Sequence, residues 1–584
     1  NENEQTTAIN PQEGIKAVQR ILNYGTVNHI IVSTWNLQAR IKKWIKLESL
    51  KEEGNSQQTN LLLYSRPDLE NSYVAPSSET EQKLSNIWQE ILGIKDIGIY
   101  DNFFELGGDS LSIIQVRSRI MKTLNKNPSI SDIFEYSTVS SLAEYIDSQQ
   151  IEEPIFQKIE RSERTSEQQT LEKLNEISDQ EVELLLNNIL QDENNTHNIN
   201  KSSSQNKREL LAKLLQEKIK KPHIFSLSFA QQRLWFITQL EPDSPAYNIH
   251  KALHLKGELN VDILTQTFKA IIQRHEILRT NYTTLADEPV QVIHPKIDFQ
   301  LPIIDLTSLS EIGQELEVSK LSEAETLSPF DLERNSLLRI TIIRLSKLEH
   351  VILLTMHHII TDDLSIIILV QEVATLYQSF LEGESSSLPE LPIQYADYAV
   401  WQREWLQGEV LNQQLNYWKQ KLGGQLPVLK LPYRQQKPVV RTNRSLSHSF
   451  ELSPELTLAL KQLSHQTNTT LFMVILATLK TLLYRYTQQE DIFVGTDITN
   501  RNRTELEGLI GFFVNVLVLR TDLSNYPSFR ELLARVKEVT LSAYAHQDLP
   551  FERLVQELQP SRQLEQTHLF QVLLAMNNVP TRVL

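Results

Sequence analysis

The first residues of the chain carry two short hydrophobic patterns of different period. Over residues 13–22, apolar side chains fall at positions 15, 18, 21 and 22, a spacing that predicts a helix. Residues 29–34 are rich in β-branched side chains and predict a short buried strand. One helix and one strand cannot cover both of their faces. We therefore expect residues 1–45 to be the end of an α/β domain, followed by a polar, proline-containing linker over 46–76.

Residues 77–148 have the pattern of a small helical bundle. Ser78 and Glu81 form a capping-box sequence, apolar residues follow at helical spacing, and Gly93 is suited to end the helix. A second helix is predicted from apolar positions 113, 116, 120 and 124, after a loop that ends in Gly107 and Gly108. A last helix is predicted over residues 139–148.

The remainder divides into a polar segment and a large α/β region. Residues 149–222 are rich in Glu, Gln, Asn, Ser and Lys, which predicts a tether with two short helices, one after residue 178 and one from about residue 207. Residues 223–584 alternate strand and helix patterns, which indicates one large α/β domain or two similar lobes. The clearest strands are predicted at 351–356 and 512–519, and the clearest helices at 264–274, 366–381 and 471–486.

Composition narrows the function classes. The net charge of −16 makes the chain a poor nucleic-acid binder, because such binding needs cationic groups that meet phosphates. The 584 residues include no cysteine, which excludes thiolate nucleophiles and Cys-ligated metals. We find no apolar run near 18 residues and predict neither a membrane span nor a metal site. We expect a cytoplasmic protein. The chain starts without Met and stops abruptly, so we expect a piece of something longer.

The first candidate site is Ser110, within the sequence Asp-Asn-Phe-Phe-Glu-Leu-Gly-Gly-Asp-Ser-Leu at 101–111. Taken alone, a serine at the first turn of a helix is an ordinary helix cap. With its aromatic loop and flanking helices, however, the segment resembles an acyl or peptidyl carrier domain. The resemblance implies that Ser110 carries a covalent 4′-phosphopantetheine arm, attached by a phosphopantetheinyl transferase.

The second candidate site is the sequence His-His-Ile-Ile-Thr-Asp-Asp, which begins at His357 and His358 and ends at Asp362 and Asp363. Because strand side chains alternate between faces, we expect the two histidines to point in opposite directions. A histidine near its usual pKa suits proton transfer at neutral pH, and Asp362 is suited to fix the turn. Taken alone, these are equally well two strand-end histidines and a turn-forming aspartate.

The surrounding sequence resembles the condensation domain of nonribosomal peptide synthetases. Further matches follow in the family's order at 228–236, 274–280, 329–332 with 337–339, 395–398 with Trp401, 511–515, 546–551 and 569–571. The resemblance implies two chloramphenicol-acetyltransferase-like lobes and formation of an amide from a carrier-bound acyl donor and a carrier-bound amino acid. It implies that His358 is the catalytic histidine, as base or as orienting group, with His357 and Asp362 as structural members of the motif. We expect Arg233 to pair with Asp362.

Two departures from the family pattern leave alternatives open. The family has Gly where this chain has Asp363, and a glycine there is suited to positive φ or to a close approach of substrate. An impaired domain that only docks carriers is therefore one alternative, and an ester-forming or epimerising variant is another. The usual Gly-Pro is replaced by Asn335-Ser336, which we expect to matter less. We also expect the condensation domain to be truncated at its carboxyl end.

Residues 1–45 resemble the last helix and strand of a ketoreductase domain from a modular polyketide synthase. The matching residues are Glu13-Gly14 and the segments 31–34 and 37–40. We therefore predict a multidomain fragment of a hybrid assembly line: an α/β ketoreductase remnant (1–45), a linker (46–76), a carrier (77–148), a tether (149–222) and a condensation domain (223–584). The implied partners are upstream polyketide synthase domains and downstream aminoacyl carrier and adenylation domains.

Overall fold

The computed structural model describes most of the chain in two compact units. The described residues are 30–32, 65–67, 69, 71–108, 110–149, 159–161, 182, 186, 207–214, 221–424, 427–432, 447–558 and 569–576. The first unit groups Asn1–Phe156, Leu406–Glu507 and Phe513–Leu584, and the second groups Gln157–Trp405 and Gly508–Phe512. The region predicted as one condensation domain therefore contributes to both units. We call residues 79–148 the carrier bundle and the rest of the described first unit from residue 406 onward the carboxy-terminal lobe.

Only three residues of the predicted 1–45 domain are described. They form strand β1 (Ile30–Val32), as the sequence pattern predicts. This strand pairs in parallel with Leu574–Met576 of the carboxy-terminal lobe. The helix predicted over residues 13–22 and most of the 46–76 linker lie outside the described residues.

The carrier bundle contains α1 (Glu79–Leu92), α2 (Ser110–Leu124), α3 (Ile130–Glu135) and α4 (Val139–Ser148). The capping box of Ser78 and Glu81 is confirmed, and Gly93 ends α1 in the left-handed region at φ 69°. The short helix α3 is missing from the sequence prediction. The sequence signal for α3 is a second capping box, in which the side chains of Ser129 and Asp132 each accept a hydrogen bond from the backbone N–H of the other residue.

Aromatic packing in the bundle positions the start of α2. Trp88 and Phe103 are fully buried, and their ring centroids lie 4.8 Å apart. A Cβ atom at Gly108 would lie 2.3 Å from the Phe103 ring, so only glycine fits that position. Gly107 has φ 98°, which also favours glycine. The two glycines therefore turn the loop tightly over a buried aromatic ring shortly before α2 begins.

The second unit is built on two sheets. Its elements are β2 (His223–Ser226), α5 (Phe229–Leu240), β3 (Asn248–Lys256), α6 (Val261–Arg274), β4 (Thr280–Leu285), β5 (Glu288–Ile293), β6 (Ile303–Asp305), α7 (Glu311–Leu327), β7 (Leu338–Arg344), β8 (Glu349–His357), α8 (Asp363–Leu381) and α9 (Tyr395–Trp405). One sheet has the order β2-β5-β4 and the other has the order β3-β8-β7-β6.

Residues 207–214 of the tether are helical, as predicted, whereas most of the helix predicted after residue 178 lies outside the described residues.

Strand β8 lies in the middle of the larger sheet. It pairs antiparallel with both β3 and β7, and every residue after its first is buried. An uninterrupted apolar run such as 351–356 is typical of a strand covered on both faces. The predictions for β8, α6 and α8 are confirmed to within a few residues at their ends.

The carboxy-terminal lobe contains α10 (Gly408–Leu422), α11 (Pro454–Gln466), α12 (Leu471–Thr487), β9 (Asp491–Ile498), β10 (Asn515–Asp522), α13 (Phe529–Ala545), α14 (Phe551–Leu558) and β11 (Leu574–Met576). Strands β9 and β10 pair antiparallel, and a parallel bridge joins Gly495 to Leu573. The strand predicted at 512–519 begins instead at Asn515. That prediction was wrong at its start, because apolar content alone does not separate a buried loop from a strand.

Helix α8 is long and apolar enough to cross a membrane by length and composition alone, and 33% of its most apolar window is buried. The sequence pattern had predicted no such helix. A core helix has the same character, and α8 packs against α6. Within the described ranges, no group of three or more His, Asp or Glu side chains has the arrangement of a metal site.

Candidate functional site

The structure places Ser110 at the first residue of α2, a helix of 15 residues. The unpaired N–H groups at a helix start and the helix dipole favour a negative charge. No acidic residue occupies the first turn of α2. The end of this helix therefore suits the phosphate of a phosphopantetheine arm.

The two histidines of the second site belong to different backbone elements. Strand β8 ends at His357, and His358 begins a 3₁₀ turn, His358–Ile360. The expectation that both are strand residues on alternate faces was therefore wrong for His358. The backbone N–H of His358 donates to the Tyr247 carbonyl over 2.8 Å, which fixes the point where the chain leaves the sheet.

His357 is a buried structural histidine. Its side chain is 3% exposed, and its Nδ1 accepts a hydrogen bond from the backbone N–H of Ile359. The Phe330 ring meets the imidazole edge-on at a centroid distance of 6.0 Å, and the Arg339 guanidinium lies 3.9 Å from the centroid of that Phe330 ring. Burial, and to a lesser degree His358, lowers the pKa of His357 to about 3. His357 is consequently neutral at physiological pH and holds the turn in place.

His358 is only partly buried, and its protonation pattern is set by one hydrogen bond. Its Nδ1 lies 2.7 Å from the Thr361 carbonyl oxygen. A carbonyl oxygen only accepts, so Nδ1 carries the proton and donates it. In the neutral ring, Nε2 is then left with a lone pair. The other described contact of the ring is with Phe512, at a centroid distance of 4.7 Å. This geometry gives His358 a proton acceptor at Nε2.

Asp362 is the N-cap of α8. Its side chain is 1% exposed, and Oδ1 accepts hydrogen bonds from the Ser365 backbone N–H at 2.8 Å and hydroxyl at 2.7 Å. The Ser365 hydroxyl also lies 2.9 Å from the Gly511 carbonyl and accepts from the Gly511 N–H. Asp362 therefore fixes the turn, as predicted, and Ser365 connects that turn to the segment that carries Phe512.

Asp363 has an ordinary helical backbone. It is the first residue of α8, it is exposed, and it is absent from the residues with positive φ. The position therefore does not require the conformational freedom of glycine in this chain. An acidic residue in the first turn also interacts favourably with the helix dipole.

Two of the family motifs form a buried polar scaffold behind the turn. The Tyr395 hydroxyl donates to the Phe512 carbonyl at 2.6 Å and lies 2.9 Å from the Ser228 hydroxyl. Gln231 donates from Nε2 to the Tyr282 hydroxyl and lies 3.4 Å from the Ile359 carbonyl. Burial raises the pKa of Tyr395 well above its usual value. Tyr395 therefore stays protonated and can donate this hydrogen bond.

A third motif holds the other end of the same segment. His275 is 1% exposed, its Nε2 lies 2.7 Å from Glu372 Oε2, and its Nδ1 faces the Ile510 N–H at 3.4 Å. Arg274 forms an ion pair with the same carboxylate at 2.9 Å. Burial alone would raise the pKa of Glu372, but the hydrogen bonds and charges of His275 and Arg274 hold it below its ordinary value. Residues 510–512 are thus tied to α6 and α8.

The fold brings some, but not all, of the residues predicted from the sequence into one site. His357, His358 and Asp362 share one turn, and Ser110 lies in the other unit. The pairing of Arg233 with Asp362 stays a prediction.

Sequence reasoning missed Thr361, whose backbone carbonyl orients His358, and Ser365, which caps the helix with Asp362. The signal for Ser365 was present, because a Ser three residues after an N-cap Asp lies within reach of its carboxylate.

These features define a class of protein: a helical carrier joined to an α/β domain with a histidine poised as a proton acceptor beside a buried sheet. The family model described as "Condensation domain" matches residues 221–582. The model described as "Phosphopantetheine attachment site" matches residues 82–146, which include Ser110.

The chain belongs to the condensation-domain family and is a carrier-plus-condensation segment of a nonribosomal peptide synthetase. It is 44% identical over 506 residues to one of the linear gramicidin synthase proteins of Brevibacillus parabrevis, a match that covers 87% of this chain and 9% of that protein. The chain thus spans about a tenth of the length of this relative. The carrier domain is of the kind that bears covalent 4′-phosphopantetheine, and the condensation domain is of the acyltransferase type that forms amide bonds.

Solved structures agree with the fold. The X-domain from teicoplanin biosynthesis is 29% identical with a TM-score of 0.55, and the match covers 60% of this chain and 77% of that one. The same domain in complex with OxyB matches with a TM-score of 0.53, at 29% identity, covering 58% of this chain and 74% of that one. The first condensation domain of the calcium-dependent antibiotic synthetase, at 21% identity, a TM-score of 0.50 and coverage of 58% and 79%, shows the fold alone.

Proposed function

We propose that this segment transfers an acyl group from its own carrier to the amine of an amino acid held on a downstream carrier. Ser110 is the attachment residue and His358 is the catalytic histidine. The observation that carries the proposal is the hydrogen bond from His358 Nδ1 to the Thr361 carbonyl, at 2.7 Å, which leaves Nε2 as an acceptor. His357, Asp362 and Arg233 have positioning roles in this proposal.

Ser110 supplies the tether point. Its hydroxyl would bond to the phosphate of the arm, and the N-terminal end of α2 would stabilise the phosphate charge. When bound, the arm supplies a thioester, whose carbonyl carbon is open to attack by an amine. No acidic residue in the first turn of α2 opposes that charge. These features support Ser110 as a modification site and not as a nucleophile.

His358 manages the proton of the reaction. As the amine nitrogen forms its bond to the acyl carbon, Nε2 of His358 accepts the proton that the nitrogen loses. The same proton then goes to the sulfur when the carbon–sulfur bond breaks, so the products are an amide and a thiol. A positioned base contributes about 10²–10⁴-fold to such a step. Holding two tethered reactants in line contributes a larger share, up to about 7–11 kcal/mol.

The finer assignment to a hybrid polyketide/peptide assembly line is part of the same proposal. It is supported by the ketoreductase-like residues at 13–14, 31–34 and 37–40 and by the predicted strand that the structure describes at β1. The donor on Ser110 would then be a polyketide-type acyl chain, and the partners would be upstream polyketide synthase domains and downstream adenylation domains in the cytoplasm. Mass spectrometry of Ser110 peptides from producing cells tests this, since an aminoacyl or peptidyl load would contradict it.

A second candidate function is carrier docking without chemistry. The observation that favours it is the likeness to the X-domain from teicoplanin biosynthesis, which has been solved in a complex with OxyB. The ordinary helical backbone of Asp363 argues against it, because the departure from glycine introduces no strain at the motif.

The deciding experiment measures acyl transfer by intact-protein mass spectrometry. The full chain, with an acyl-loaded arm, is mixed with an aminoacyl-loaded carrier, and both masses are followed with time. We expect His358→Ala to lower the transfer rate by about 10²–10⁴-fold. His254→Ala, a change on β3 in the same unit, is the matched control and keeps the wild-type rate. Equal transfer by wild type and His358→Ala would overturn the role of His358 and favour the docking function.

A further inference from the structure

The carrier bundle presents a basic face of α2 to the carboxy-terminal lobe within the first unit. Arg119 Nη2 lies 2.9 Å from Glu507 Oε2, and Lys122 Nζ lies 3.5 Å from the Thr504 hydroxyl. The Arg119 and Glu507 side chains are 26% and 29% exposed, so the pair is partly shielded from water. An ion pair in this setting contributes more to recognition than a fully exposed one, because solvent screens it less.

A second basic residue of α2 acts electrostatically on a second acidic residue of the same lobe. Arg117 is held in place by the Pro128 carbonyl at 3.0 Å and the Asn127 side chain at 2.8 Å. Its charge acts on Asp548, which accepts a hydrogen bond from Asn502 at 2.8 Å. Burial raises the pKa of Asp548, and the positive charge of Arg117 opposes that shift. Arg503 of the lobe itself acts in the same direction, so Arg117 adds to a positive charge that the lobe already supplies.

The polarity is reversed at a neighbouring contact. Here the lobe supplies the cation: Lys537 Nζ on α13 lies 6.0 Å from the centroid of the Phe134 ring on α3 of the carrier. The Glu135 carboxylate acts on the same ammonium group. Helices α3 and α13 are in contact, as are α2 and the 3₁₀ turn Thr504–Leu506.

We propose that the carboxy-terminal lobe selects and orients its own carrier through a two-point contact of crossed polarity. At one point, the carrier cation Arg119 meets the lobe anion Glu507, and Lys122 lies beside Thr504. At the other, lobe cation Lys537 meets Phe134 and Glu135 of the carrier. A carrier rotated on the lobe would place like charges together, and a carrier with acidic residues at these α2 positions would be repelled. This inference rests on the proposed function of the carrier as acyl donor and names the residues that choose it.

A crosslinking experiment measures the contact directly. The chain contains no cysteine, so an engineered pair reacts without background. The pair chosen is Lys122→Cys with Thr504→Cys, because these two side chains are in contact in the structure. We expect a short bismaleimide to crosslink this pair rapidly in the full chain, with faster crosslinking at low salt. The matched control is Glu144→Cys on α4 with the same Thr504→Cys, which we expect to crosslink slowly.

Charge reversal then tests the polarity. Arg119→Glu and Glu507→Arg are each expected to lower the crosslinking rate by about tenfold, because each places like charges together. The combination of both changes restores an opposite pair and is expected to recover most of the rate. Recovery in the double variant supports the proposal. Unchanged crosslinking in the single variants, or no recovery in the double variant, would overturn it.

The readouts separate this proposal from the proposed function. Loading of Ser110 by a phosphopantetheinyl transferase reports that each variant carrier is folded. Crosslinking needs no catalysis, so it is expected to be the same in His358→Ala. If wild type crosslinks as expected but transfers no acyl group, the proposed function fails and the two-point contact stands. If transfer proceeds normally in Arg119→Glu with a loaded carrier, the two-point contact fails and the proposed function stands.

Discussion

The amino-terminal ends of α2 and α8 both lie beside candidate chemistry, but the two helices differ in the charge of their first turns. Helix α2 begins at Ser110 and has no acidic residue in its first turn. Helix α8 is capped by the buried carboxylate of Asp362 and has Asp363 in its first turn. The first turn of α2 thus adds no negative charge of its own, whereas the start of α8 carries two carboxylates that interact favourably with the helix dipole.

The difference shows how one structural device serves two purposes. At α2, the helix end would receive a covalent group, and the glycine turn that precedes it is close in the sequence. At α8, the helix end is a fixed support for the preceding turn, in which the Thr361 carbonyl sets the proton on His358. A capped helix suits the second purpose because a mobile turn would not hold the imidazole in one orientation.

Removing the hydroxyl at the α2 end has the largest expected effect. Ser110→Ala lacks the oxygen that would bond to the arm, so we expect the mass gain on treatment with a phosphopantetheinyl transferase to vanish. Ser112→Ala, two residues along the same helix, is expected to load normally. Intact-protein mass spectrometry measures both variants. Loading of Ser110→Ala would move the attachment site elsewhere and end the comparison between the two helix ends.

The buried histidine beside the α8 end predicts a pH effect on stability. His357 has a folded-state pKa of about 3, against about 6.5 when unfolded. Below pH 6.5 the unfolded chain therefore binds the proton more readily, and stability falls as the pH falls. From pH 6.5 to 5 the expected loss of unfolding free energy from this group is about 2 kcal/mol.

We expect His357→Asn to remove this loss, since the Asn oxygen can still accept from the Ile359 N–H. Urea unfolding at several pH values measures the effect. His357→Phe is the control: it also lacks the titration but loses the acceptor, so it should be less stable at every pH. A full acid-dependent loss in His357→Asn would show that other groups cause it.

The smallest expected effect is at the departure from the family pattern. Asp363→Gly restores the family residue at an exposed, helical position. We expect the acyl-transfer rate to stay within about twofold, and stability to fall by about 0.5–1 kcal/mol, since glycine is a poor helix former. Transfer kinetics and urea unfolding measure the two quantities. A large gain in transfer rate would show that Asp363 impairs the reaction and would favour the docking function.

The carrier bundle was the part most readily predicted from the sequence. The capping box at Ser78, the end of α1 at Gly93 and the whole of α4 agree with the structure, because these signals act within a few residues. The missed helix α3 has only six residues, too few to establish a hydrophobic period. In the large region, strand β8 was predictable because a run buried on both faces needs no alternation.

The geometry of the candidate sites could not be predicted from the sequence. The sequence motifs pointed to Ser110, His357, His358 and Asp362. The start of the 3₁₀ turn at His358, however, depends on the Tyr247 carbonyl, which lies more than a hundred residues away in the chain. The hydrogen bonds between the Ser365 hydroxyl and the Gly511 backbone span 146 residues. No local pattern reports partners that far apart.

Local signals were enough to predict most of the carrier bundle and the order of the family motifs, because helix caps, periodicity and motif spacing are local properties. The tautomer of His358, the burial that keeps His357 neutral and the unstrained backbone of Asp363 follow from the tertiary structure. It also decided which charges of the carrier meet those of the carboxy-terminal lobe. Each of these depends on contacts between distant segments, where desolvation and the position of a single acceptor set the outcome.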